Sequence, residues 1–224
     1  MEIMLNGLID KCCIVYIDDI IIFSNTFKEY LQHLQAVLDR LKMCNVVIKP
    51  AKCEVVKHEV EYLGNMIDNG QVKSMQSHIN KVCEQKLPET ITDVRAFCSM
   101  AEFYRKYIKN FAKIAKPLTN YIALPGKKKK IQLTPEAIKA FLELKKKLNE
   151  SPVLVLPDFN KPFGLRTDAS KYVIEAVLFQ LNENGEKQLI AYGSRVISKT
   201  EQRYSASKRE MLAIYYLLDI GEPI

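Results

Sequence analysis

The 224-residue sequence contains no tryptophan, only three histidines and only eight glycines. Its six cysteines show neither C-x-x-C spacing nor partner histidines at zinc-finger intervals, which argues against a zinc site. We therefore expect reduced, mostly buried thiols in an intracellular protein of the cytoplasm, the nucleus or both.

The sequence also lacks membrane and export signals. No apolar run reaches the roughly 18 residues that a membrane helix needs. The N-terminus has neither the basic region nor the long apolar core of a signal peptide. Because 48% of the residues are hydrophobic, the chain has enough apolar material for a core in one large domain or two small ones.

Positive charge is concentrated in one part of the chain. The net charge is +7, and residues 113–149 hold ten lysines and two acidic residues, so this block accounts for the excess. A concentrated basic block attracts phosphate backbones. A solvated, flexible linker explains the run "LPGKKKK" at 124–130 equally well. Charge alone leaves both interpretations open.

The first third of the chain predicts a hairpin and a helix. Residues 12–16 and 20–23 are short apolar strands joined through Asp18 and Asp19. Residues 26–43 have apolar positions at helical spacing, with Thr26 and Glu29 as a capping box. The stretch "VEYLGNMIDNGQVKS" predicts a second hairpin with its turn at 68–70.

Two further helices are expected in the middle of the chain, over residues 92–110 and 134–149. Pro117 is predicted to break the chain between them. Thr134 and Pro135 suit the start of the second of these helices.

The predicted secondary structure changes from helices to strands near residue 150, where we place a domain boundary. The segments "PFGLRTDAS", "YVIEAVLFQL" and "KQLIAYGSRV" predict three strands. A last helix is expected over residues 199–219, with Ser198 and Glu201 as its capping box. Its predicted inner face consists of Tyr204, Met211, Tyr215 and Leu218.

The adjacent aspartates Asp18 and Asp19 are the first candidate site. Aspartate is common in turns, which is the simplest explanation. However, the flanks "CCIVY" and "IIIF" are apolar, and two adjacent carboxylates repel each other unless a cation binds them. Oxygen ligands suit Mg²⁺, and polymerases use two such ions in phosphoryl transfer.

Asp168 and Glu210 are the second candidate pair. Taken singly, Asp168 reads as a strand-end cap and Glu210 as a solvent-facing helix residue. Taken together, a strand-end aspartate, three strands and a helix bearing glutamate can bring two carboxylates together over a sheet. Such a pair can hold metal for phosphodiester hydrolysis.

Several collinear motifs resemble the Pol polyprotein of Ty3/gypsy-type long-terminal-repeat retrotransposons. "VYIDDIIIFSNTFKEYLQHLQAVLDRL" is similar to the palm motif and following helix of the reverse transcriptase. "DVRAFCSMAEFYRKYIKNFAKIAKPL" is similar to its thumb and connection. "PFGLRTDASKYVIEAVLFQ" and "AYGSRVISKTEQRYSASKREMLAIYY" are similar to the first half of its ribonuclease H domain. The resemblance covers nearly the whole chain.

The resemblance implies roles for particular residues. Asp18 and Asp19 would be metal-binding carboxylates of the polymerase, and Tyr16 would pack near the primer terminus. Asp168 and Glu210 would be metal ligands of the ribonuclease H. The remaining implied residues would contact nucleic acid: Lys127, Lys128, Lys129, Lys130, Lys145, Lys146 and Lys147. The implied cofactor is Mg²⁺, and the implied partners are an RNA template, a DNA primer, an RNA–DNA hybrid and dNTPs, with no membrane.

The sequence also departs from the family pattern. Val173 and Glu175 stand where the family usually has glycines, and Phe97-Cys98-Ser99 replaces its "FLG". The third palm carboxylate of the family lies upstream of the matched segment, and the third ribonuclease H aspartate lies downstream. We therefore expect the isolated chain to be inactive.

The expected fold class is α+β: a partial palm and a thumb/connection, followed by a partial RNase H-like mixed α/β domain. We place the palm at 1–75, the basic thumb/connection at 76–150 and the RNase H-like domain at 151–224. The alternative functions are a non-catalytic domesticated fragment that binds nucleic acid or protein, and a relic open reading frame.

Overall fold

The computed structural model describes residues 1–9, 11–68, 70–124 and 130–220, which form helices and antiparallel sheets. The helices are α1 (Phe27–Met43), α2 (Gln76–Cys83), α3 (Ile91–Phe103), α4 (Phe111–Ile122), α5 (Pro135–Asn149) and α6 (Ala206–Ile220). The strands are β1 (Cys13–Tyr16), β2 (Asp19–Ile22), β3 (Glu59–Tyr62), β4 (Asn65–Asp68), β5 (Gln71–Ser74), β6 (Leu154–Val155), β7 (Gly164–Ala169), β8 (Val173–Leu181) and β9 (Lys187–Val196). The expected α+β class is confirmed.

The chain divides into two compact units, Met1–Val56 and Lys57–Ile224. The first unit contains the predicted hairpin, β1 and β2, and the predicted helix α1. Its small core is built from Leu5, Cys13, Val37 and Leu41. Helix α1 begins after Thr26, whose Oγ1 accepts the backbone N–H of Glu29 at 3.3 Å.

The second unit begins with a four-stranded sheet in the order β3-β4-β5-β6. The predicted β4–β5 hairpin is confirmed, and Gly70 in its turn has φ 75°. The last strand comes from much later in the chain, because Leu154 pairs with Val72. The sheet therefore joins residues that the sequence assigned to different domains, and the three-domain partition stays a prediction.

Helices α2 to α5 pack around the largest hydrophobic core. The capping box at the start of α3 is complete: Thr90 Oγ1 accepts from the Asp93 N–H, and an Asp93 carboxylate oxygen accepts from the Thr90 N–H. The rings of Phe97 and Phe141 meet in this core with centroids 4.4 Å apart. Other fully buried members are Tyr107, Ile108, Leu118, Leu144, Leu148 and Leu154.

The helix expected over 92–110 is interrupted, so that prediction was wrong in its extent. Helix α3 ends at Phe103, and a short 3₁₀ turn follows at Arg105–Tyr107. Asn110 then takes a left-handed conformation with φ 62°, which asparagine tolerates better than most residues and which an α-helix cannot continue through. Pro117 lies inside α4 instead of breaking the chain, at the cost of one backbone hydrogen bond.

The three predicted strands after residue 150 form a separate antiparallel sheet, β7-β8-β9. Helix α6 covers one face of it, where Ala169 and Ile174 pack near Ala213. Ser198 and Glu201 make their predicted reciprocal bonds. These bonds close a 3₁₀ turn at Glu201–Arg203, so α6 begins later than expected.

The predicted inner face of α6 was wrong. Tyr204 precedes the helix, and Met211 and Tyr215 are 65% and 71% exposed. The residues that pack on the sheet are Leu212, Ala213 and Tyr216. Because apolar residues occur on nearly every side of this helix, spacing alone does not identify the buried side.

The six cysteines all lie in the described part of the chain, and none of them forms a disulfide bond there. Cys12, Cys13 and Cys98 are buried, whereas Cys44 and Cys53 are exposed. The expectation of mostly buried thiols therefore holds for half of them. Among the described residues, no helix combines the length and the apolar character that crossing a membrane requires.

Candidate metal and nucleic-acid sites

Asp18 and Asp19 lie at the tip of the β1–β2 hairpin. Tyr16 pairs with Asp19, so Ile17 and Asp18 form a two-residue turn. Ile17 has φ 55°, which is a genuine outlier for a β-branched residue. Strain of this kind persists where the surrounding structure fixes it, and it clusters at functional sites. The turn leaves both carboxylates exposed to solvent.

Strand alternation explains how two acids follow an apolar run. Cys13 and Val15 in β1, with Ile20 and Ile22 in β2, contact the core of the first unit. Asp19 lies opposite Tyr16 on the other face, and Tyr16 is 49% exposed. The strands are thus anchored from one side while the carboxylates stay accessible, an arrangement that suits both a plain turn and a metal site.

Asp168 lies in a cross-strand row on the three-stranded sheet. It is opposite Glu175 in β8, and Glu175 is opposite Ser194 in β9. Because side chains alternate along a strand, this row lies on the face that α6 does not cover. The Ser194 Oγ accepts the backbone N–H of Ala112 at 2.9 Å, which places α4 on this face.

The Glu175 carboxylate has charged neighbours of both signs. Burial raises the pKa of Glu175, the Lys113 ammonium opposes that rise, and the Asp168 carboxylate adds to it. Lys109 is a further, weaker neighbour. An acidic side chain therefore stands directly beside Asp168, at a position where the sequence comparison led us to expect glycine.

Glu210 is exposed on α6, three residues before the buried Ala213. Helix α6 contacts both β7 and β8, the strands of Asp168 and Glu175. The described residues include no group of three or more His, Cys, Asp or Glu side chains placed to hold a metal ion. Asp168 lies on the sheet face that α6 does not cover, whereas Glu210 lies on α6, so the expectation that these two carboxylates come together stays a prediction. All four predicted residues offer carboxylate oxygens, which are the ligands that Mg²⁺ prefers.

The predicted nucleic-acid lysines fare differently from one another. Lys145 Nζ donates to the backbone oxygen of Gln85 and lies 4.5 Å from the Phe141 ring centroid, so it is engaged within the protein. Lys146 Nζ lies 4.0 Å from a carboxylate oxygen of Glu150.

The other predicted lysines include two that are exposed, Lys130 and Lys147. The backbone of Lys130 forms a bridge with Thr90. Lys127, Lys128 and Lys129 lie outside the described residues.

Lys113 and Lys116 belong to the basic block noted in the sequence, but the surface that they form together with Lys109 was not predicted. Lys109, Lys113 and Lys116 line one side of α4 and its approach, and Lys116 Nζ lies 4.9 Å from the Tyr172 ring centroid. The three-residue spacing of Lys113 and Lys116 is visible in the sequence and could have placed these two on one side of a helix, whereas Lys109 precedes the helix. The contact with Tyr172 could not have been predicted, because it joins residues far apart in the chain.

Two family descriptions match the chain. "Reverse transcriptase (RNA-dependent DNA polymerase)" matches residues 1–67, and "RNase H-like domain found in reverse transcriptase" matches residues 133–221. The first match contains the Asp18–Asp19 hairpin, and the second contains Asp168 and Glu210.

Curated relatives are Pol polyproteins of retrotransposons. The polyprotein from transposon opus of Drosophila melanogaster is 37% identical over 94% of this chain, and that from transposon gypsy is 35% identical over 97%. The Tf2-3 polyprotein of Schizosaccharomyces pombe is 34% identical over 90%. The chain spans about a fifth of the length of the Drosophila relatives, 22% and 21%, and 15% of the yeast one.

Solved structures of foamy viral protease-reverse transcriptase share the fold. One, in complex with dsDNA, gives a TM-score of 0.81 at 23% identity, covering 97% of this chain and 44% of that one. Another, in complex with an RNA/DNA hybrid, gives 0.82 at 23% identity, covering 97% of this chain and 29% of that one. The two domain matches, in this order, show a reverse transcriptase part followed by an RNase H-like part, and over most of its length the chain is similar to the Pol polyproteins of gypsy-type retrotransposons.

Proposed function

We propose that this chain is the part of an RNA-directed DNA polymerase and ribonuclease H that presents Asp18 and Asp19 to catalytic metal. The observation that carries the proposal is the strained two-residue turn at Ile17, which holds both carboxylates exposed within the segment matched to reverse transcriptase. The substrates would be an RNA template, a DNA primer and dNTPs, in the cytoplasm or the nucleus.

Different residues of the chain would have different roles. Asp18 and Asp19 would hold Mg²⁺, and the exposed Tyr16 beside them would contact the primer terminus. Bound divalent ions stabilise the attacking and leaving oxygens of a phosphoryl transfer. The apolar side of the hairpin, packed in the core of the first unit, keeps the turn in place.

In the RNase H-like part, Asp168 and Glu210 would contribute carboxylate oxygens for hydrolysis of the RNA strand of a hybrid. The exposed Lys130 and Lys147, with Lys127 to Lys129, would contact duplex phosphates. The complexes of the foamy viral enzymes with dsDNA and with RNA/DNA hybrid support nucleic-acid partners.

The metal assignment is tested by paramagnetic Mn²⁺, which broadens the amide resonances of nearby residues. We expect broadening centred on the hairpin residues 16–20 that disappears in Asp18→Asn/Asp19→Asn. Asp39→Asn, which removes an exposed carboxylate from α1 in the same unit, is the matched control and should leave the broadening intact. Equal broadening in the hairpin variant and in the native chain would refute the assignment.

The polymerase assignment is tested on the endogenous polypeptide, captured with an antibody against residues 127–149. A mass well above 25.7 kDa, with primer extension on RNA that is lost in Asp18→Asn, is the expected result. A larger polypeptide whose primer extension survives Asp18→Asn would overturn the role of this hairpin.

A second candidate is nucleic-acid binding without catalysis. The observation in its favour is that the described residues include no group of three or more His, Cys, Asp or Glu side chains placed to hold a metal ion. An endogenous polypeptide of 25.7 kDa that binds an RNA–DNA hybrid and extends no primer would support this candidate over the first.

A further inference from the structure

Helix α4 carries a row of lysines that faces outward. Lys113 and Lys116 are three residues apart on α4, so they lie on one side of the helix. Lys109 precedes the helix, and both it and Lys113 interact electrostatically with Glu175. Lys109 and Lys113 are exposed, and Lys116 is half-buried. Residues 105–124 contain five basic residues and no acidic residue, so the helix itself offers no counter-charge.

These lysines are free in a way that Lys145 and Lys146 are not. Within the described part of the chain, every ion pair with nitrogen and oxygen within 4.0 Å involves other residues. An exposed lysine without a carboxylate partner keeps its full charge for a ligand, whereas a paired one must first be released.

Tyr172 extends the row onto the RNase H-like sheet. It lies in the turn between β7 and β8 and is 50% exposed. Lys116 Nζ lies 4.9 Å and Lys171 Nζ 6.0 Å from its ring centroid, both within cation–π range. The ring thus holds two ammonium groups close together at the surface, and a local concentration of positive charge attracts the phosphates of a nucleic-acid backbone.

A groove runs beside the same lysines. It has a volume of about 530 Å³ and lies between α4 and the start of α5. Its lining is largely apolar, from Pro117, Tyr121 and Leu124, and also carries polar or charged groups: Lys113, Lys116, Asn120, Thr134 and Glu136.

The row leads toward the predicted ribonuclease H carboxylate. Lys113 and Lys109 interact electrostatically with Glu175, and Glu175 lies directly opposite Asp168. A strand held along α4 would therefore pass close to Asp168. The Glu175 and Asp168 carboxylates reduce the positive charge at that end, and Glu136 reduces it in the groove.

We propose that Lys109, Lys113, Lys116, Lys171 and Tyr172 form a binding surface for the phosphate backbone of a nucleic-acid strand, which we call the α4 track. It is distinct from the lysines of α5 and of residues 127–130. The proposal rests on the proposed function, since it names the surface that delivers an RNA–DNA hybrid to the RNase H-like part.

The first test is lysine footprinting of the native chain with and without a 20-base-pair RNA–DNA hybrid. We expect the hybrid to protect Lys113, Lys116 and Lys171 from acylation. Lys81 and Lys86, which are exposed on and after α2 in the same unit, serve as internal controls and should stay reactive. No substituted protein is needed, so folding of a variant does not enter this result.

The second test measures how hybrid affinity depends on salt. Each lost phosphate contact reduces the magnitude of the negative slope of log K against log salt by roughly one, so Lys113→Ala/Lys116→Ala should reduce that magnitude by about two. Lys81→Ala/Lys86→Ala removes the same charge and should leave the slope nearly unchanged. Circular dichroism checks that both variants retain the native fold.

The outcomes separate this proposal from the proposed function. Hybrid binding with unprotected α4 lysines and an unchanged slope overturns the α4 track while leaving a nucleic-acid function in place. No hybrid binding by the native chain at low salt overturns the α4 track together with nucleic-acid binding by this chain. Protection confined to Lys113, Lys116 and Lys171, with the reduced slope, supports it.

Discussion

Glu201→Gln is expected to destabilise the second unit in a pH-dependent manner. The Glu201 carboxylate accepts two hydrogen bonds from the Arg195 guanidinium, both at 3.0 Å, and one from the Ser198 backbone N–H at 2.7 Å. These bonds, those from Arg195 first, lower the pKa of Glu201 from 4.5 to about 2. The Arg195 guanidinium also lies 5.2 Å from the Tyr216 ring centroid, so the pair ties β9 to α6.

The size of the effect follows from the pKa change. Lowering the pKa of Glu201 from 4.5 to about 2 corresponds to at most about 3 kcal/mol of stabilisation of its ionised form. The Glu201 and Arg195 side chains are 18% and 32% exposed, so solvent screening reduces the expected contribution of the ion pair to about 1–2 kcal/mol. Because the pKa is lower in the folded state than in the unfolded state, the contribution is present above about pH 4.5 and is lost as pH falls toward 2.

Urea unfolding followed by circular dichroism at several pH values measures this contribution. We expect Glu201→Gln to lower the free energy of unfolding by about 1–2 kcal/mol at pH 7. The difference from the native chain should vanish near pH 2. Glu183→Gln, which neutralises an exposed carboxylate in the β8–β9 loop, should change little at either pH. A Glu201→Gln deficit that stays constant from pH 7 to pH 2 would show that the ion pair is not its cause.

Three further predictions concern packing and thiol chemistry. Phe97→Ala removes a fully buried ring and should lower the free energy of unfolding by about 3–5 kcal/mol in urea titrations. Gly164→Ala should cost about 1–3 kcal/mol, because its Cβ would clash with the Phe179 ring, and the additional change Phe179→Ala should remove that penalty in a double-mutant cycle. Burial raises the pKa of Cys98 to about 11, so iodoacetamide at pH 8 should alkylate the exposed Cys44 and leave Cys98 unmodified until urea unfolds the chain; comparable rates in the native state would contradict this.

The elements that the sequence predicted well are those with local signals. The hairpin around Asp18 and Asp19 has two apolar strands that meet in a two-residue turn, and α5 has Thr134 and Pro135 at its start. Such patterns depend only on neighbouring residues. The family resemblance, carried by several collinear motifs, was confirmed by the domain matches and by the gypsy-type relatives.

The elements that the sequence predicted poorly depend on distant contacts or on backbone conformation. Nothing local in "RKYIKNF" shows that Asn110 takes a left-handed conformation and divides one expected helix into two. Helix α6 has apolar residues on every side, so only the position of the sheet decides that Ala213 is buried and Tyr215 is not.

The candidate sites show the same division. The sequence placed Asp18 and Asp19 at a hairpin tip, as the structure does. It could not show that Lys145 is engaged with Gln85 or that Lys116 lies over Tyr172, because these contacts join segments about 60 residues apart. Whether the carboxylates bind metal stays a prediction, since their placement suits a turn as well as a site.

The pairing of β5 with β6 has a consequence for how the protein is made. About 80 residues separate the end of β5 from Leu154, which pairs with Val72. At a synthesis rate of roughly 5–20 residues per second, β5 leaves the ribosome some seconds before its partner exists. During that interval its edge is open to other chains, and edges of this kind are where aggregation starts. The nascent chain is therefore prone to aggregation until β6, a strand of only two residues, pairs with β5.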